Sequence, residues 1–325
     1  MTNPAVAFTG ELKLVKEGAG AFTAAKAGQT YSGGTDVAAG TFACGGTGAS
    51  GVYGAADATN TVFAGAIFNC GGFGGNDRAV FVLAGGTLAE PQEVADVTLA
   101  ADSFIRATSI EKALARGDLS EATLEMGGHT LTVDIADGGT LGLLNLTVTG
   151  GGTIMQRNGG YLQFGSTTAK GVNAPGTVLH VRHSLRVRAA STFRDYIADY
   201  QGNWDDGPTQ PIKVVGRFCP TASDVEWHSV ELQDGATLDL SRIDGVWNAT
   251  CTGSGFEGPS VLSFVSGATV TVDMGDRAPQ LDDQLVAWTE RPQNVTFVWD
   301  FQLPLCALKS GLFVKTDPGM AIIFR

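Results

Sequence analysis

Gly128-His129-Thr130-Leu131-Thr132-Val133, followed by Gly139-Thr140-Leu141 and Gly152-Thr153-Ile154, decides the fold. Each phrase is a glycine, with or without one intervening residue, then Thr and an apolar or alternating run. The glycine supplies a backbone conformation that a Cβ resists, and the alternation of period two turns one face inward, so each copy reads as a turn feeding a strand. The phrase also occurs at Gly40-Thr41-Phe42, Gly86-Thr87-Leu88, Gly176-Thr177-Val178, Gly235-Ala236-Thr237-Leu238 and Gly267-Ala268-Thr269-Val270. Intervals between copies run from 11 to 59 residues, too uneven for propeller blades and suited to a solenoid whose coils carry loops of different length. The expectation is an all-β, right-handed parallel β-helix in which stacked coils bury what no single coil can.

Composition agrees. Glycine accounts for 45 of 325 residues while 43% are hydrophobic, a packed chain with many tight turns. Only 17% are charged, which leaves little for the solvent faces of amphipathic helices. The net charge of −12 argues against nucleic acid as a partner. No run of 18 apolar residues is present, so no helical membrane insertion is expected from this segment. The start, Met1-Thr2-Asn3-Pro4, lacks a basic region leading into an apolar one. A secreted or cell-surface location is expected, with signal peptide and anchor outside this chain.

Away from the repeats, Ser109 to Leu119 looks helical, with Ser109 as cap and Ile110, Ala113 and Leu114 on one face. Asn145 suits either a ladder of stacked amides or an isolated turn. Composition shifts near Ala190, where Gly-rich coils give way to segments richer in Trp, Asp and Pro. Residues 1–280 are expected to form the helix and 281–325 capping strands, since an open coil end exposes core and unpaired backbone. The five cysteines show no zinc spacing. Equivalent positions in stacked strands lie ~4.8 Å apart, within disulfide reach, so Cys44–Cys70 and Cys219–Cys251 are candidate bridges, with Cys306 left as a small buried hydrophobe.

Residues 12 to 42 carry a resemblance. Lys16, Gly18, Gly20, Phe22, Tyr31, Gly33, Thr35, Val37, Gly40 and Thr41 keep the order of the autotransporter-associated β-strand repeat, with Phe42 in place of its usual Leu. The match spans about a tenth of the chain. It implies a parallel β-helical passenger stalk of a large exported bacterial protein and brings no catalytic residue. The strands from Asp282 onward resemble those that close such repeats. The many ~10-residue alternating strands of a membrane barrel do not follow them here.

The stretch that looks functional is Thr177 to Arg188. Read as one strand, it turns Leu179, Val181, Leu185 and Val187 inward and sets His180, Arg182, Arg186 and Arg188 along one outer face. Arg194, Asp195, Tyr196, Asp199, Tyr200, Trp204, Asp205 and Asp206 follow. Aromatic faces beside Asp and Arg suit a sugar groove. His180, Arg182, Arg186, Arg188, Tyr196, Tyr200, Trp204 and Asp205 are therefore candidate glycan ligands. Outward arginines paired with acidic residues of neighbouring coils would explain the same pattern. No catalytic residue, metal site or cofactor is expected, because HExxH, GxSxG and phosphate-loop patterns are missing. The function expected is a monomeric structural or adhesive passenger binding host or environmental glycans. The alternatives are a polysaccharide lyase or glycoside hydrolase on the same scaffold and a trimeric tail-spike-like protein.

Overall fold

A computed structural model describes residues 2–3, 8–24, 29–45, 54–55, 57–71, 79–94, 96–108, 112–114, 121–199, 210–221, 229–243, 247–251, 261–275, 284–288, 292, 294–299, 306–309 and 312–315. Among them every helix or strand element is a strand. The alternating runs pair in parallel, each with the strand one coil later, which yields the expected parallel β-solenoid. A first column of twelve strands runs from Leu14–Lys16 to Val261–Phe264. A second, of fourteen, runs from Thr2–Asn3 to Thr296–Trp299. A third, of five, starts at Gln92–Val94 and ends at Leu185–Val187. The coil from Val80 to its partner Asp96 takes 16 residues, and that from Val230 to Leu262 takes 32, so loop length varies while the ladder stays in register.

The inward phase of each column stacks like on like. In the second column Leu131, Ile154, Leu179, Tyr196, Phe218, Leu238 and Val272 lie in register and are all buried. Phe42 and Phe68, and Phe68 and Phe81, have ring centroids 5.0 Å apart, and Phe164 lies 5.3 Å from Phe193. Burying one such ring stabilises by roughly 1.5–3 kcal/mol, which a lone coil cannot achieve. Gly34, at φ 73°, and Gly152, at φ 95°, show why the turns need glycine: a Cβ would run into the Thr59 or His129 carbonyl oxygen of a neighbouring coil. Within residues 12–42, the Lys16 ammonium donates to the carbonyls of Glu17, Gly18 and Ala39, tying two turns together. The buried Tyr31 hydroxyl shares a 2.7 Å hydrogen bond with Thr35.

Two local expectations change, and at Asn145 one of two alternatives is decided. Lys112–Leu114, inside the segment read as helical, is a strand paired with Gln92–Val94 and Thr140–Leu143; ladder bonds on both edges outweigh a weak helical pattern. Asn145 is a turn residue, not a rung: at φ 48°, its side-chain oxygen accepts the Lys170 N–H at 2.6 Å. Gly176-Thr177 does not open a strand but lies inside the ten-residue strand Val172–Val181, whose register shifts after Ala174. This strand and Ser191–Ala198 each run through both the first and second columns and join them into one sheet. Toward the C-terminus the pairing turns antiparallel, Leu312–Lys315 lying between Gln284–Trp288 and Cys306–Lys309, while Thr296–Trp299 still extends the parallel second column.

Candidate functional site

The basic ridge expected on one face is divided between two. Leu179, Val181, Leu185 and Val187 are buried as expected, but the strand ends at Val181 and a new one spans Leu185–Val187. The corner between them sends His180 and Arg182 to the outer face of the second column and Arg186 to that of the third. Gln156 builds this corner, its buried amide donating to the Gly160 and Ser184 carbonyls and accepting from His183 N–H. The Arg186 guanidinium lies 3.9 Å over the Tyr161 ring, so it is held by a cation–π contact. Arg188 lies just beyond the end of the same strand. Tyr196 is a correction: it points into the core, stacked on Phe218 at 5.4 Å, because it falls in the inward phase of Ser191–Ala198. Tyr200, Trp204, Asp205 and Asp206 lie outside the described residues.

What gathers on the outer face of the second column is a set of charges that close on one another across coils. Arg182 and His180 face Asp199 at 3.7 and 3.5 Å, and Arg182 Nε lies 3.4 Å from His180 Nε2. Burial, then the Arg182 charge, hold His180 below its ordinary pKa against the pull of Asp199, so the neutral ring accepts from Arg182. Arg194 pairs with Asp195 at 2.9 Å, and Asp195 also accepts the Arg217 N–H. Arg217 Nη1 bridges Asp239 at 2.7 Å and Asp273 at 2.6 Å, two carboxylates one above the other. Burial raises the Asp239 pKa, but hydrogen bonds from Ser241 and Arg217 outweigh it and hold the carboxyl below its usual range. The Asp239 hydrogen bond, more than anything else, raises the Arg217 pKa further.

The Arg217–Asp239–Asp273 cluster is poorly suited to acid–base chemistry. A glycosidase acid needs a carboxyl held protonated near neutral pH, whereas Asp239 is held ionised. A lyase base needs an amine or guanidine ready to lose its proton, whereas Arg217 is fixed in its charged form. Cys219 stands beside the same network, but burial, then the Asp239 charge, push its thiol up to about 12, which leaves it protonated and inert. No group of three potential metal ligands occurs among the described residues.

The expected bridges are absent. Cys44 and Cys70 carry thiols, buried in neighbouring coils one step beyond the registered pair Ala43 and Asn69, and burial, then the proximity of Cys70, push the Cys44 thiol up. Cys219 is also a thiol; it lies in the second column, whereas Cys251 pairs in the first, opposite Leu262. Sequence reasoning missed Arg217, Asp239 and Asp273. Their outward phase was visible, but which carboxylates meet the guanidinium depends on register. Comparison of the chain with family models, curated proteins and solved structures returns no match.

Proposed function

We propose that this chain is a structural and adhesive stalk segment of a bacterial surface or secreted protein, of the autotransporter-passenger kind. One observation carries the reading: the second column runs through fourteen rungs, a stack about 60 Å long at ~4.8 Å per rung, along which Arg182 with Asp199, and Arg217 with Asp239 and Asp273, are paired across rungs. Such a face stiffens a rod and leaves little for a reaction. The order of ten positions at residues 12 to 42 supports the passenger assignment. The test is surface labelling of the source cells with antibody to the purified chain. Intact cells should be labelled or the chain should be found in the culture medium, and detection only after lysis would refute the proposal.

A further inference from the structure

A groove of about 340 Å³ lies along the outer edge of the first column, apart from the charged face. That volume falls in the range of small-ligand sites, ~300–1,000 Å³. Leu146, Val172 and Ala190 line it together with the Asn145 turn, which is pinned to Lys170 by bonds in both directions, Lys170 N–H to the Asn145 amide and Asn145 N–H to the Lys170 carbonyl. Along it Thr147, Asn173 and Thr192 stand in register, one per coil, and Thr123 continues the row outside the groove. From Thr123 to Thr192 the row spans about 14 Å at the inter-strand spacing.

Among the described residues, the side chains of Thr147, Asn173 and Thr192 form no hydrogen bond to the protein. Hydroxyls and a primary amide both donate and accept, which matches the bifunctional hydroxyls of a sugar and gives no preference for an anion. Among the described lining residues the charged ones are Glu121 and Lys170, which neutralise one another at 3.4 Å. Both are largely exposed, and a solvent-exposed pair of this kind is weak, so a ligand can part it. The row ends where it turns ionic: Thr192 is followed in register by Lys213 and Glu231, themselves paired at 3.8 Å.

We propose that this groove binds a neutral linear oligosaccharide lying along the solenoid axis, with sugar hydroxyls bonded to Thr147, Asn173 and Thr192. The proposal rests on the adhesive reading and moves the ligand site away from the arginines. The test is calorimetric titration of the full chain with neutral hexasaccharides (β-1,4-glucan, β-1,4-mannan and α-1,4-glucan) and with a hexagalacturonate. At least one neutral hexamer should bind, with affinity unchanged between 50 and 500 mM salt. Binding should weaken at least tenfold in Thr147→Val/Asn173→Leu, whose melting temperature should match that of the parent. No binding of any neutral hexamer at millimolar concentration, preference for hexagalacturonate, or binding indifferent to the groove variant would each overturn the proposal. The surface-labelling result is independent of all three.

Discussion

The two outer faces are built on the same ladder and use it in opposite ways. Along the first column, Thr123, Thr147, Asn173 and Thr192 stand one above the other as neutral polar groups, and the last three find no partner within the described protein. Along the second column, Arg182 is paired with Asp199, and Arg217 with Asp239 and Asp273, across coils. Stacking at ~4.8 Å brings equivalent positions together on both faces. Charges of opposite sign use that proximity to satisfy each other, whereas short hydroxyls reach sideways neighbours poorly and stay open to solvent or ligand. Charged side chains in a solenoid therefore mark stiffness here, and the uncharged row marks availability.

The strongest test removes what both faces share. Phe193 is fully buried beneath Thr192 on one side and Asp195 on the other, 5.3 Å from Phe164. Phe193→Ala should cost about 3–5 kcal/mol, seen as a large fall in the urea midpoint, and both faces should be lost together. Separate losses would mean the columns unfold independently. Next, Arg217→Met leaves the nearly buried Asp239 without its cation and should cost about 2 kcal/mol, a figure moderated by the half-exposed guanidinium. Thr147→Val, on the other face, should change stability by no more than about 0.5 kcal/mol. Equal effects would erase the distinction between the faces.

The smallest effects are those of pH. Asp239 is depressed below 3.8, so its contribution is present above that pH and lost as pH falls through its folded value. Arg217→Met should therefore move the acid-unfolding midpoint upward. His180 is likewise depressed, below 6.5, so the unfolded chain takes up a proton first on acidification. Its contribution is complete above about pH 6.5 and is lost as pH falls through the folded value. Melting temperatures measured from pH 7 to 5 should drop less in His180→Gln than in the parent, and an equal drop would show that His180 does not titrate this way.

Periodicity was legible where it was repeated. The Gly-Thr-apolar phrase identified the strands at Thr41–Cys44, Thr87–Ala89, Thr130–Ile135, Thr153–Arg157, Thr237–Asp239 and Thr269–Asp273, because alternation is a local property. It failed at Gly176, where strand runs straight through, and at Lys112–Leu114, where an isolated pattern had no ladder to judge by. The arginine stretch misled because alternation says in or out, but not which outside: a corner at residues 182–184 separates His180 and Arg182 from Arg186.

By itself the sequence determined that the chain is β, coiled and parallel, and which side chains face inward within the repeated phrases, though not at Tyr196, because turn glycines and period-two alternation are local and repeated. Tertiary structure alone decided the partners. Aligning the phrases at Gly235 and Gly267 sets Asp239 against Thr271, yet the coils stack two residues further on and set it against Asp273, beneath Arg217. A shift of two keeps every apolar side chain inside, so alternation cannot distinguish the two registers, and the packing of whole coils selects one.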